Sequence, residues 1–177
     1  SWATNLVPGD TNGFGDIFLY DRTTGTTERI SVASDGTQGN ANSGYFYARA
    51  PLSDDGRHVV FRSEASNLVP GDTNGLPDIF VRDRLAGTTE RVSVTSSGMQ
   101  GDGPSDNPSI TADGRYVAFQ SMSHNLVPGD TNLQPDIFVR DRLTGVTERV
   151  SVTSSGAAVE RNHIGDGIPV SRRRRHE

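Results

Sequence analysis

The feature that most constrains this chain is an eight-residue segment that occurs three times. Asn-Leu-Val-Pro-Gly-Asp-Thr-Asn stands at residues 5–12, 67–74 and 125–132, so the copies begin 62 and then 58 residues apart. Each copy is followed by Asp-Ile-Phe, Asp-Arg, a turn with glycine, Thr-Glu-Arg and a Ser-Val pair. Repetition at such an interval indicates one structural unit that the chain builds three times.

Each unit has the pattern of antiparallel strands joined by tight turns. In the second unit, residues 78–84 and 89–95 alternate β-branched or aromatic residues with charged ones, as half-buried strands do. The connection between them contains Gly87, which suits a short hairpin turn. Asp-Gly-Arg turns and their surroundings predict further strands at 58–61, 108–110 and 116–119. We therefore expect a four-stranded meander in each unit and no helix.

A four-stranded unit of this size exposes an apolar face that it cannot bury alone, so successive units must pack face to face. Radial packing of such units produces a β-propeller. We predict an all-β fold of three four-stranded propeller blades, of about 60 residues each, in one domain spanning residues 1–160. The predicted blades are 1–50, 51–107 and 108–160, and the first is a half-blade because it lacks an Asp-Gly strand pair.

Two motifs connect these units to a known family. Ser/Thr-x-Asp-Gly-Arg-x-Val-x-Phe begins at Ser53 and at Thr111, and Asp-Ile-Phe-Val-Arg-Asp follows each copy at 78–83 and 136–141. This pattern resembles the TolB-like β-propeller repeat family, a group similar to tryptophan-aspartate repeats, and the resemblance extends to about residue 156. It implies propeller blades, although typical blades have only about 40–50 residues. Propellers of this kind resemble those fused to peptidases and polysaccharide lyases.

The number of units bears on the partners of the chain. Propellers close with about four to eight blades, so three units imply either further repeats in a longer chain or half of a six-bladed ring completed by a second chain. In such a ring, C-terminal strands of one chain would complete the N-terminal half-blade of its partner. Open sheet edges also tend to pair with another copy. We therefore expect a homo-oligomer, with a dimer favoured.

The repeated loop Asp-Thr-Asn-x-x-x-Asp is the main candidate site. Oxygen ligands at alternate positions, with another a few residues later, can bind Ca²⁺, which takes about six to eight oxygens. The pattern is similar to the Asp-rich calcium loops of integrin-type propellers, with a shorter spacing. The alternative is that Asp and Asn only form side-chain turns. The candidate ligands are Asp10, Asn12, Asp16, Asp72, Asn74, Asp78, Asp130, Asn132 and Asp136.

Two details of the repeat generate further expectations. The third loop has Leu133 where the other two have Gly13 and Gly75, which predicts a different conformation for that loop. The dipeptides Asp83-Arg84 and Glu90-Arg91 flank a predicted hairpin, so we expect them to form ion pairs across it on a solvated surface. A ring of ligand-binding charges at a channel mouth is the alternative interpretation of these pairs.

Composition limits the classes of function. The net charge is -5, and residues 1–160 are more acidic still, which argues against nucleic acid as a partner. No apolar run approaches the roughly 18 residues of a membrane span. Cysteine is absent, the four histidines occupy unrelated repeat positions, and no hydrolase or phosphate-loop motif occurs. We predict no catalytic residue in this chain.

These observations favour a noncatalytic binding or assembly module with loops ordered by Ca²⁺, exported to an extracellular or periplasmic location. Its ligand would be a protein or a carbohydrate. One alternative is a recognition or gating propeller of a larger hydrolase or lyase, and another is a truncated repeat fragment without independent function. Residues 161–177 depart from the repeat and carry an arginine run. We interpret them as a degenerate or out-of-frame basic tail, with a nucleic-acid or membrane tether as the alternative.

Overall fold

The structure is a computed structural model that describes residues 1–44 and 50–157. All regular elements in these residues are strands, and every strand pair is antiparallel, which confirms the predicted all-β class. The strands are β1 (Phe18–Asp21), β2 (Thr26–Arg29), β3 (His58–Ser63), β4 (Asp78–Asp83), β5 (Thr88–Arg91), β6 (Ser105–Ile110), β7 (Tyr116–Ser121), β8 (Asp136–Asp141) and β9 (Val146–Arg149).

The strands form three sheets in chain order. The first sheet contains β1 and β2, the second contains β3, β4 and β5, and the third contains β6 to β9. Neighbours in each sheet are also neighbours in the chain, so each sheet is a meander. The third sheet has the four strands predicted for every unit, whereas the second has three and the first has two. The second sheet is extended by isolated bridges from Ser43 to Ser63 and from Leu52 to Val59. The first sheet is the predicted half-blade.

The hairpin turns follow from local chemistry that each unit repeats. In the second sheet, Oδ1 of Asp83 accepts hydrogen bonds from the backbone N–H groups of Leu85 and Ala86, both at 3.0 Å. Gly87 then adopts a φ of 68°. This conformation is unfavourable for residues that have a Cβ atom, whereas glycine adopts it readily. An aspartate at the strand end and a glycine four residues later therefore close the turn between β4 and β5.

Two hydrophobic cores hold successive sheets together. One core lies between the first and second sheets and contains Ile30, Phe61 and Phe80. The other lies between the second and third sheets and contains Ile79, Val92, Val117, Phe119 and Phe138. In each core a pair of phenylalanines from adjacent strands stacks with ring centroids 5.9 Å apart. The sheets thus pack in series like consecutive propeller blades, as the sequence predicts.

Three further expectations concern membrane spans, the basic tail and the blade boundaries. No helix within residues 1–44 and 50–157 has the length and apolar character to cross a membrane. The interpretation of residues 161–177 as a basic tail lies outside the described residues. The assignment of blade boundaries at residues 50, 107 and 160 stays a prediction.

We expect Phe138→Ala to lower the free energy of unfolding by about 3–5 kcal/mol, because it empties a large buried site between two sheets. Phe138 is 0% exposed, whereas Leu143 in the following turn is 76% exposed. Leu143→Ala is therefore the control and should change stability by less than about 0.5 kcal/mol. Denaturant unfolding measures both values. Equal effects of the two substitutions would contradict the packing described here.

Candidate functional site

Each repeated loop closes on a buried aspartate that lies at the start of a strand or, for Asp16, two residues before it. In the second unit, Asp78 is 0% exposed. Its Oδ1 accepts a hydrogen bond from the Ser93 hydroxyl at 2.5 Å, and its Oδ2 accepts one from the Asn74 amide at 3.1 Å. The other two units repeat these contacts at 2.5 Å and 3.0 Å, through Ser31 and Asn12 on Asp16 and through Ser151 and Asn132 on Asp136.

An arginine supplies the positive charge at each of these clusters. Nη1 of Arg91 lies 3.0 Å from Oδ1 of Asp72 and 3.2 Å from Oδ2 of Asp78. Arg149 makes the same contacts with Asp130 and Asp136 at 2.9 Å and 3.3 Å. Arg29 bridges Asp10 and Asp16 at 3.2 Å and 3.6 Å. We call each set of two aspartates, asparagine, serine and arginine a loop cluster.

The three loop clusters together contain all nine residues predicted as metal ligands, three in each cluster. Each also contains residues that the sequence analysis missed, namely the serine and the arginine. The repeated Thr-Glu-Arg segment was the available signal, since its arginine occupies the same position in every unit. What the pattern did not reveal is that this arginine folds back onto the loop rather than pointing into solvent.

A cation at the loop cluster of the second unit would compete with Arg91, which already contacts both aspartates. Oδ1 of Asn74 accepts the backbone N–H of Leu76 at 3.0 Å, while its amide nitrogen faces Asp78 and the carbonyl of Gly101. Burial raises the pKa of Asp72, and the nearby Arg91 acts in the opposite direction. Within the described residues, no three His, Cys, Asp or Glu side chains form a group suited to a metal. Calcium binding stays a prediction.

The expected difference of the third loop is wrong. Leu133 adopts a φ of 53°, in the same left-handed region as Gly13 at 74° and Gly75 at 65°. The contacts of Asn132 and Arg149 with Asp136 are also those of the other units. The cluster therefore imposes the loop conformation on a leucine, at a cost of about 1–2 kcal/mol.

The predicted ion pairs across the hairpin are also wrong. The register places Val81 opposite Glu90 and Phe80 opposite Arg91, so Asp83 and Arg84 lie too far along the strand to face them. Asp83 instead accepts two hydrogen bonds from Arg57 of its own sheet, from Nε at 2.8 Å and from Nη2 at 2.6 Å. Arg91 belongs to the loop cluster, and Arg84 and Glu90 form their ion pairs with residues of the first and third sheets.

Arg84 and its neighbours attach the second sheet to the first through polar contacts. Nε of Arg84 donates to the carboxylate of Glu28. Thr89 donates its hydroxyl to the carbonyl of Val32 at 2.6 Å and its backbone N–H to the hydroxyl of Ser34 at 2.9 Å. The guanidinium of Arg82 reaches the carbonyl of Ala33 at 3.2 Å. We call this set of contacts the interblade clamp.

The same clamp attaches the third sheet to the second. Nε of Arg142 donates to Glu90 at 2.6 Å, and the guanidinium of Arg140 donates to the carbonyl of Thr95 at 3.0 Å. The hydroxyl of Thr147 donates to the carbonyl of Val94 at 2.6 Å, and its N–H donates to Ser96 at 2.9 Å. Each clamp thus has a donor half on the later sheet and an acceptor half on the earlier one.

The outer face of the third sheet carries apolar side chains that face no further sheet in the described part of the chain. Ile137, Val150 and Val152 are 39%, 47% and 38% exposed. The equivalent residues of the second sheet are Ile79, Val92 and Val94. The third sheet covers them, and they are only 0%, 1% and 6% exposed. A groove of about 260 Å³ lies on the same face, lined by Tyr116, Val139, Asp141, Thr144, Val146 and Glu148.

Comparisons with known proteins yield distant structural similarity. No family model and no curated protein matches the chain. A putative TolB from Agrobacterium tumefaciens is similar at 19% identity and a TM-score of 0.48, over 80% of this chain and 39% of that one. TolB from Acinetobacter baumannii is similar at 18% identity and a TM-score of 0.29, over 81% and 39%.

A third similar structure is hydrazine synthase from Kuenenia stuttgartiensis, at 15% identity and a TM-score of 0.42, over 76% of this chain and 35% of that one. The chain therefore spans less than two fifths of each of these three proteins. Likenesses with TM-scores below 0.5 support no argument about family or activity. The fold rests on the strands and cores described above.

The pairing of Asp83 with Arg57 predicts a specific pH dependence of stability. Hydrogen bonds from Arg57 hold the pKa of Asp83 well below its usual range. A lowered folded-state pKa means that the stabilisation is present above the usual aspartate pKa of about 3.9 and is lost as the pH falls toward the folded-state value. We expect Asp83→Asn to be less stable than wild type at about pH 6, and this difference to shrink toward about pH 2.

Denaturant midpoints of the wild type and Asp83→Asn across this pH range measure the effect. A difference in midpoint that stays constant at every pH would contradict the role of the ionised carboxylate. It would point instead to a purely steric effect of the amide.

Proposed function

We propose that this chain is a noncatalytic assembly and binding module whose propeller-type sheets pack in series. The observation that carries the proposal is the outer face of the third sheet. Its apolar positions are those that the first and second sheets bury against a following sheet. Contiguous exposed apolar surface rimmed by polar residues is typical of interaction sites in soluble proteins.

The free energy available on this face favours association. Fully burying one aliphatic side chain contributes about 1.5–3 kcal/mol, and Ile137, Val150 and Val152 are each more than a third exposed. A partner that presents a similar sheet face would cover all three at once. A homo-oligomer, with a dimer favoured, is the assembly we propose. Protein or carbohydrate ligands, an extracellular or periplasmic location, and a place in a larger hydrolase or lyase stay predictions.

Calcium is the ion we propose for the loop clusters, in competition with arginine. A cation that enters between Asp72 and Asp78 must displace Arg91, whose side chain is 8% exposed. The two carboxylates already have a positive partner, so the gain from a bound ion is small. Removing the arginine leaves two buried carboxylates without compensation, which is costly to the fold and favourable for a cation.

We therefore expect Arg91→Met to lower the free energy of unfolding by about 3–5 kcal/mol and to increase the stabilisation by calcium. The unfolding midpoint of the variant should rise more in calcium than in chelator, because an ion that binds only the folded state stabilises it. The wild type should shift less. The control is Arg57→Met, which removes a partly exposed arginine outside the cluster and should add no calcium response. Identical midpoints with and without calcium in all three proteins would exclude the loops as cation sites.

The assembly proposal predicts that Ile137→Asp lowers the molar mass in solution without unfolding the protein. Ile137 is 39% exposed, so a charge there should leave the sheet intact while it disrupts an apolar contact. Leu85→Asp, at an 80% exposed position on the second sheet, is the matched control. Light scattering over a range of protein concentrations measures the mass. A wild type that stays monomeric at every concentration would contradict the proposal.

A further inference from the structure

The first and third sheets carry opposite halves of the interblade clamp. The acceptor half consists of Glu28 and residues 32–34 in the first sheet, and of Glu90 and residues 94–96 in the second. Its equivalents in the third sheet are Glu148 and residues 152–154. The donor half of the second and third sheets is an arginine and a threonine, whose equivalents in the first sheet are Arg22 and Thr27.

The acceptor half on the third sheet is accessible. Glu148 is exposed and borders the groove of about 260 Å³, and residues 152–154 are exposed as well. At the junction of the first two sheets, the equivalent Glu28 receives Arg84, and the equivalent carbonyl of Val32 receives Thr89. The groove beside Glu148 therefore corresponds to the place where an incoming arginine lies.

The donor half on the first sheet is accessible too. Arg22 is exposed, and Thr27 lies on β2, the strand equivalent to β5. The clamp draws its donors from the last two strands of a sheet and from the turn between them. The first sheet consists of the equivalent two strands and their turn. Tyr20 replaces the arginine found at positions 82 and 140, and its hydroxyl is also a hydrogen-bond donor. Within the described residues neither Arg22 nor Glu148 takes part in an ion pair.

We propose that a second copy of this chain docks head to tail on the third sheet. Arg22 of the incoming copy pairs with Glu148, and Thr27 donates to the carbonyl of Val152, while the apolar positions around Ile137 are covered. The proposal rests on the assembly function proposed above and gives it a partner and a register. A contact between two different surfaces of identical chains is heterologous, and it forms a closed ring where the rotation permits.

The observations favour a second copy as the occupant, because the chain already forms this kind of interface at two places. One joins the first and second sheets, and the other joins the second and third sheets. Each end is complementary in charge and hydrogen bonding to the other end, not to itself. An isolated exposed ion pair contributes little affinity, so the apolar face supplies most of the free energy. The charge pair selects the register and disfavours other arrangements.

Charge reversal tests the register in the full chain. Arg22→Glu places two carboxylates opposite each other, and Glu148→Arg places two guanidinium groups opposite each other. We expect each single variant to weaken self-association about tenfold. The double variant restores an opposite-charge pair in reversed order and should associate within about threefold of the wild type. Asp54→Arg, at an exposed turn, is the control for the change in net charge.

Sedimentation velocity over a range of protein concentrations measures the association constants, and circular dichroism checks that each variant is folded. Self-association that depends on Ile137 but responds neither to the single reversals nor to the double variant would overturn the head-to-tail register alone. A wild type that is monomeric throughout would overturn the assembly function and this inference together. It would assign the face to another partner, such as a further repeat of a longer chain.

Discussion

The packing of one sheet face against the next is the constraint on which the rest of this structure depends. An antiparallel sheet of four short strands exposes an apolar face that it cannot bury alone, and an isolated two-stranded sheet is at best marginally stable. The phenylalanines at 80 and 138 are buried only because a neighbouring sheet covers each core. For the same reason the outer face of the third sheet leaves apolar side chains exposed, since nothing in the described residues covers Ile137.

The structure also depends on the pairing of its buried carboxylates with arginines. A buried carboxylate is costly unless it is paired and hydrogen-bonded. Asp78 meets this requirement with Asn74 of the loop, Arg91 at the end of β5 and Ser93 just after it. The cluster thereby connects a long loop to the end of its own sheet. It also explains why Leu133 accepts a conformation that glycine adopts in the other two units.

The sequence predicted much of this architecture because its signals are local and repeated. Alternation of residue types identifies β4 and β5, the Asp-Gly-Arg turns identify β3 and β7, and the glycine at position 87 identifies the hairpin turn. The nine Asp and Asn residues of the loops were also found, since duplication makes them conspicuous. Their chemistry was harder to predict, because the arginine that contacts each aspartate pair lies 19 residues beyond the first carboxylate.

The sequence by itself thus determined the repeat, the strands and the turns, all of which depend on residues close together in the chain. Tertiary structure alone decided the partner of each charge. Glu90 and Arg84 are near neighbours in sequence, yet they contact different sheets, Glu90 the third and Arg84 the first. Such pairings depend on the register between strands and on the rotation between sheets, which the packing of the apolar cores fixes. Only the folded chain brings those distant partners within hydrogen-bonding distance.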